Sequence, residues 1–343
     1  MPRFECPDAA RRWYDPVISR RELLIAIGAG ALAVPRWAWA QPAERTFRIG
    51  WFSSVDWAKE AYNVAFVQRL SELGFVEGRN LVFERRDTGG RPERMPGLAA
   101  ELVRQKCDLL FAGGQEAALI AMKQASRDAP IVIVALDYDP VATGHVTNLA
   151  RPGGRITGVS AVQSLLPAKR LELLKELLPA ARKVAVFGNA GTTGQLKVVQ
   201  DTARHLGIAL HVVDFKSPPF DYEAGFADAV RAKPDALLVL TSGLFVTGRR
   251  KIWELALKHR LASMSGGSQS IEAGALLSYG FNFSDLYRRA AEQTAAILRG
   301  AKAADIPMEQ GTKFEMVLNM KTARALGIKI PQSILLRADR VIE

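Results

Sequence analysis

The sequence predicts an α/β protein of two lobes, each a Rossmann-like, doubly wound parallel sheet, joined by strands that cross from one lobe to the other. Three observations carry this expectation. Short apolar, β-branched segments alternate with helical stretches from Thr46 onward, as in βαβ units with right-handed crossovers. The alternation runs twice on one plan, and the stretch Leu136 to Ser160, LDYDPVATGHVTNLARPGGRITGVS, separates the two runs. The chain of 343 residues also exceeds the usual size of one domain.

The amino end has a different character. Ser19 to Leu24 read S-R-R-E-L-L and lead into the uncharged run Leu23 to Val34, followed by Pro35, Arg36 and Ala38-Trp39-Ala40. A paired arginine, a moderately apolar stretch, a late basic residue and an A-x-A site are the features of a twin-arginine export leader, cut near Ala40/Gln41. Twelve apolar residues fall short of the ~20 that span a bilayer. Gly28-Ala29-Gly30-Ala31-Leu32-Ala33 matches a loose dinucleotide fingerprint, but no strand precedes it, so the match is discounted.

In the first run, FRIGWFSS, NLVFERRD, CDLLFAGG and PIVIVALD read as strands, with helices over 58–73, 92–105 and 116–126 between them. Gly74, after Glu72-Leu73, is the expected C-cap of the first helix. Arg151-Pro152-Gly153-Gly154 excludes a helix, and ITGVSA after it is the first expected crossing strand. The second run has a helix over 165–178, then KVAVFGN, ALHVVDFK, DALLVLTS and ASMSGG as strands, with helices over 194–206, 222–232 and 247–259. LLSYGFN is a second expected crossing, followed by a helix over 284–298 and a strand FEMVLNM. Near the carboxyl end a further strand is expected before Pro331, then an amphipathic turn. The expected division is a leader over 1–40, a first lobe of 46–159 plus 281–305, and a second lobe of 160–280 plus 306–343.

Composition narrows the function. The net charge of +11 is distributed among acids on helices such as AKRLELLKELLPAARK, Ala168 to Lys183, which reads as a solvated helix face and not as a nucleic-acid groove. Removal of residues 1–40 takes six basic and four acidic side chains from the 46 and 35 of the chain, so the remainder stays basic. Cys107 is then the one remaining thiol, read as a small buried hydrophobe. His145, His205, His211 and His259 show no ligand spacing, so neither metal nor cofactor is expected. No nucleophile elbow, Walker lysine or Ser/His pair is present, and no enzyme activity is expected.

Ligands of open parallel sheets sit beyond the carboxyl ends of the strands. In the first run those loops carry Ser53, Ser54, Asp56 and Trp57, then Gly113, Gly114, Gln115 and Glu116, then Asp137 and Tyr138. In the second they carry Asn189 and Thr192, Thr241 and Phe245, and the run Ser265 to Gln269. Small hydroxyls and glycines before helix N-termini leave N–H groups and the positive dipole end for a carboxylate. The same Ser, Thr and Asn also serve as ordinary N-caps. The acids Asp56, Glu116 and Asp137 suit an ammonium group, and the aromatics suit an apolar ligand face.

The runs NLARPGGRITG, SYGFN and TKFEMVLN occur in that order, alongside FVQRLSELGFVEGRNLVFERRD and AKRLELLKELLP. In these the chain closely resembles the ABC-transporter substrate-binding proteins of the tryptophan/tyrosine-type family, over essentially everything after the leader. Two departures are the loop Asp137-Tyr138-Asp139, where the family has a shorter Gly-Asp or similar, and Phe281 in place of a common proline. The resemblance implies a type I periplasmic binding protein fold whose lobes close on a small ligand. It also implies ligand positions at Ser53, Ser54, Gly113, Gly114, Gln115, Asp137, Ser160, Asn189, Thr241 and Tyr279. The expected protein is a periplasmic monomer. It captures a small polar organic ligand, of the amino acid or aromatic acid class, for an ABC permease and its cytoplasmic ATPase. A periplasmic sensory module signalling to a membrane receptor is the alternative.

Overall fold

A computed structural model describes residues 45–53, 58, 60–89, 91–136, 138–161 and 166–343. The expected leader, Ser54, Asp56, Trp57 and Asp137 lie outside them, and Ser53 is placed by its backbone. Two sheets organise these residues. The first contains β1 (Phe47–Ser53), β2 (Leu81–Asp87), β3 (Leu109–Gly114), β4 (Ile131–Ala135), β5 (Ile156–Ser160) and β11 (Glu309–Gln310), in the order β11-β5-β4-β3-β1-β2 with every pair parallel. The second contains β6 (Lys183–Asn189), β7 (Ala209–Phe215), β8 (Ala236–Val239), β9 (Ala262–Ser265), β10 (Leu277–Phe281), β12 (Phe314–Asn319) and β13 (Arg340–Ile342). Its order is β13-β12-β10-β9-β8-β6-β7, and β12 runs antiparallel to β10.

The expected doubly wound plan is therefore present twice. In each sheet the order reverses beside the first strand, between β1 and β3 and between β6 and β8, which marks the switch points where such folds bind ligands. Both faces of each sheet are covered, which explains why the central strands are apolar without alternation. Val132 and Val134 of β4 enter one core with Phe66, Leu286 and Ala290, whereas Ile131 and Ile133 enter the other with Leu119 and Met122. In β6, Val184 and Val186 face one layer and Ala185 and Phe187 the opposite one. Full burial of each such aliphatic side chain contributes ~1.5–3 kcal/mol.

The helices follow their local signals. α1 (Ala61–Glu72) ends in a Schellman motif: the Gly74 N–H donates to Ser71 O at 3.0 Å and the Phe75 N–H to Leu70 O at 2.8 Å, with Gly74 at φ +93°. α2 (Met95–Arg104) and α3 (Glu116–Ala125) complete the first run. α4 (Leu166–Leu177), α5 (Thr193–Leu206), α6 (Tyr222–Arg231) and α7 (Gly243–Lys258) wrap the second sheet. α7 starts a full turn before the expected Thr247, because the Ser242 hydroxyl accepts from the Leu244 N–H at 3.3 Å and caps it. A short α8 (Ser268–Glu272) precedes β10, and α9 (Phe283–Leu298) returns to the first sheet. α10 (Met320–Leu326) and α11 (Gln332–Arg337) close the chain.

At the carboxyl end the expected strand before Pro331 is absent. Ile328 to Ile330 follow a left-handed Gly327 that ends α10, and the terminal strand is instead β13. The two-residue β11 was not expected either. Three segments cross between the sheets, after Ser160, after Phe281 and after Gln310. They lie together, with the Gly311 N–H donating to Ser160 O at 2.9 Å and the Asn282 N–H to Lys313 O at 3.0 Å. Gly158 has no room for a side chain: at φ +148° a Cβ would lie 2.1 Å from Ile133 O. Among the described residues no helix is long and apolar enough to cross a membrane.

Candidate functional site

The carboxyl ends of the two sheets face each other, and a cavity lies between them. Its first-lobe wall is Gly113, Gly114 and Gln115 after β3, Leu136 after β4, Tyr62 on α1, and Phe283 and Tyr287 on α9; Gly243, Val246 and Thr247 of α7 form the second-lobe wall. Gly113 is there because nothing larger fits, and Gly114 because its φ of +96° favours glycine. A Cβ on Gly113 would come within 2.6 Å of the Tyr287 Oη. Gln115 occupies the N-cap of α3 in an extended conformation without a side-chain capping bond of its own, and its carbonyl accepts from the Ala118 N–H at 3.1 Å. The Gln115 side chain reaches across to α7, and a Cβ on Gly243 would lie 2.7 Å from its Cγ.

The aromatic wall is a packed unit. The ring centroids of Tyr62 and Tyr287 are 4.7 Å apart, those of Tyr62 and Phe283 6.1 Å, and Trp51 stacks behind Tyr287 at 6.3 Å. Burial, then the neighbouring Tyr287 and Glu60, push the Tyr62 phenol well above its ordinary pKa; burial, with Glu60, does the same to Tyr287. Both are neutral hydroxyls at physiological pH. Sequence reasoning missed Tyr62, Phe283 and Tyr287. Phe283 and Tyr287 are one turn apart on α9, a spacing that signals a shared face but is equally that of core packing.

A second group of expected residues gathers at the ends of β6 and β8. Asn189 is 7% exposed and is engaged on both sides: its Oδ1 accepts from the Gly191 N–H at 3.0 Å, and its Nδ2 donates to Ser242 Oγ at 2.9 Å. Thr192 closes a reciprocal cap with it, exchanging hydrogen bonds of 2.9 Å with the Asn189 N–H and carbonyl. The backbone of Thr241 is held by Gln195, which donates to its carbonyl at 2.7 Å and accepts from its N–H at 3.0 Å. That leaves the Thr241 hydroxyl, buried beside Ser265, Gly266 and Gly267, making no hydrogen bond to any described residue. The buried hydroxyl of Ser160, at the end of β5, is in the same condition. Tyr279 is half-buried in β10, stacked on Phe314 at 6.2 Å.

The structure thus brings Gly113, Gly114 and Gln115 to one cavity, sets Thr241 in the neighbouring loop cluster, and places Asn189 and Thr192 in caps. Ser54, Asp56 and Asp137 lie outside the described residues. The reading of the 168–183 charges as a solvated face needs one correction. Arg170 is fully buried; its Nε donates to the Tyr279 carbonyl at 2.7 Å, and its guanidinium packs beneath Gly266 and Gly280. Burial lowers its pKa, yet an arginine remains protonated at neutral pH. It braces the ends of β9 and β10 together.

Other reactive groups are quiet. Cys107 is half-buried, donates to Leu102 O at 3.3 Å, and burial pushes its thiol up to about 11. His145 bonds Glu116 at 2.8 Å and Lys123 at 3.1 Å. Among the described residues no cluster of three His, Cys, Asp or Glu could hold a metal ion.

Most of the chain has relatives. A family model described as ABC transporter substrate binding protein matches residues 58–342. The chain is 27% identical to a tyrosine-binding protein of Clostridioides difficile (strain R20291), over 277 residues that make up 80% of this chain and 78% of the relative. Its structure is similar to that of a conserved domain protein from Vibrio cholerae, with TM-score 0.76 and 25% identity over 87% of this chain and 100% of that one. It is also similar to an ABC domain from Streptococcus pneumonia in complex with L-Trp, with TM-score 0.75 and 22% identity over 87% and 100%. A ligand-free, open substrate-binding protein with adhesive properties from Clostridium difficile is similar at TM-score 0.61 and 25% identity, over 87% and 99%.

Proposed function

Because the chain belongs to the ABC transporter substrate-binding protein family, we propose that the cavity between its lobes captures an amino acid with an aromatic side chain and presents it to an ABC permease. The observation that carries this reading is the pairing of two chemistries in one cavity: an uncapped helix start at Gln115, and the aromatic wall of Tyr62, Phe283 and Tyr287. The positive dipole end of a helix N-terminus suits a carboxylate. Neutral, buried rings suit an aromatic side chain, for which stacked or edge contacts add ~0.5–1.5 kcal/mol beyond burial. The tyrosine-binding relative and the L-Trp complex are consistent with that ligand class.

In this reading Gly113, Gly114 and Gln115 hold the carboxylate end together with the Ser53–Ser54 loop. The hydroxyls of Ser160 and Thr241, with Tyr279, serve the cleft between β5 and the second sheet. The protein works as an exported monomer without catalytic activity. Its leader directs it through the twin-arginine route, and the lobes are 46–159 and 160–280 with the returning carboxyl-terminal segments shared between them.

A thermal-shift screen of residues 41–343 tests the ligand class, since a ligand at 100 times its dissociation constant adds ~2.7 kcal/mol. Tyrosine, tryptophan and phenylalanine are expected to raise the melting temperature, and their decarboxylated amines to do so far less. Equal shifts by acid and amine, or shifts confined to non-aromatic amino acids, would overturn the assignment.

A further inference from the structure

Glu60 and Arg249 form a buried ion pair between the lobes. Glu60 immediately precedes α1 and is 4% exposed; Arg249 lies on α7 with its side chain 13% exposed. Among the described residues this is the one ion pair that joins α7 to the first lobe. Neither residue lines the cavity, yet each is anchored to a helix that does. α1 carries Tyr62, and α7 carries Gly243, Val246 and Thr247.

The pair is also well satisfied. Arg249 Nη1 donates to the Val246 carbonyl at 2.8 Å, the Tyr62 phenol hydrogen-bonds the Glu60 carboxylate, and Glu60 sits at the N-terminus of α1, where the helix dipole favours an anion. Such additional hydrogen bonds decide whether a buried pair competes with two hydrated ions. When the lobes part, both groups return to water and the pair is lost.

We propose that Glu60 and Arg249 are a latch that holds the ligand-free protein in its closed arrangement and so sets ligand affinity without touching the ligand. Apparent affinity scales with the fraction of protein already in the binding-competent state. A latch that raises this fraction tightens binding for every ligand of the cavity by the same factor. The affinity readout rests on the solute-binding reading above; the shape of the ligand-free protein does not.

The test is small-angle scattering of the ligand-free protein together with calorimetry on tyrosine or tryptophan. Glu60→Gln and Arg249→Met each leave one charge buried and unpaired in the closed state only. Each is expected to enlarge the radius of gyration and to weaken binding at least tenfold, equivalent to ~1.4 kcal/mol. The combined Glu60→Gln/Arg249→Met variant buries no lone charge and is expected to recover a smaller radius than either single variant. A wild-type radius already equal to that of the single variants overturns the latch. Weaker binding at an unchanged radius overturns it too, by making Glu60 or Arg249 a ligand contact.

Discussion

The Gly243→Ala substitution separates closing from folding. Gly243 is the first residue of the 16-residue helix α7, a position where alanine is favoured over glycine by up to ~1 kcal/mol. Its new Cβ would stand 2.7 Å from Gln115 Cγ and 2.9 Å from its Nε2, well inside the ~3.5–4.0 Å of ordinary contact. This clash lies between lobes, so it exists only when they are closed. Relieving it requires Gln115 to leave the cavity wall or the lobes to stand apart, and overpacking of this kind costs ~1–3 kcal/mol. Ligand affinity should therefore fall by roughly 5–150-fold, while the ligand-free protein stays folded with its lobes apart. Calorimetry and thermal unfolding on the same preparation measure both. Adding Gln115→Ala removes the atoms that clash, and closure should recover. Full affinity and an unaltered scattering profile for Gly243→Ala alone would refute the contact as a determinant of closure.

Three further outcomes are expected. Gln195→Ala removes both hydrogen bonds to the buried backbone of Thr241 and should cost about 1–3 kcal/mol in urea unfolding, a loss that Gln195→Glu does not restore, because a carboxylate oxygen would then face the Thr241 carbonyl. Cys107 should resist alkylation at pH 8 until the protein unfolds, because burial raises its pKa from 9.0 to about 11. Its folded-state value lies above the unfolded one, so its contribution to stability is complete below pH 9 and declines as the pH rises toward 11; rapid labelling of the native protein at pH 8 would contradict this. Changing Arg20 and Arg21 together to lysine should leave unprocessed precursor in the cytoplasm on cell fractionation, and normal processing would favour a Sec route.

Much of the fold was legible because its causes are local. Period and apolarity located the strands, and Gly74 announced the end of α1 by the conformation it alone adopts easily. The site was legible where strand ends and glycines mark it, at Gly113 and Gly114. What stayed hidden depends on partners distant in sequence. Tyr62, Phe283 and Tyr287 look like core until α1 and α9 meet at the mouth of β3. Arg170 looks solvated until β10 supplies the Tyr279 carbonyl. Asn189 and Thr192 illustrate the converse. As isolated residues they fit ligand contacts and N-caps equally, and the structure shows them bonded to each other, with Asn189 also bonded to Ser242. The two-residue β11 has no signature at all, since its strand character comes from lying beside β5.

The threefold crossing of the chain also governs the order in which the molecule can be assembled during synthesis. One face of the first sheet is covered by Phe283, Leu286, Tyr287, Ala290 and Ala291 of α9, which are translated after the whole of the central part of the second lobe. The second sheet in turn waits for β12 and β13, which follow α9. A chain still attached to the ribosome at Phe281 therefore exposes an apolar layer on the half made first, and no single cut yields two self-sufficient fragments. An interruption before Phe283 would leave the first sheet without this layer and the second without β12 and β13, and so expose the product to chaperones and proteases.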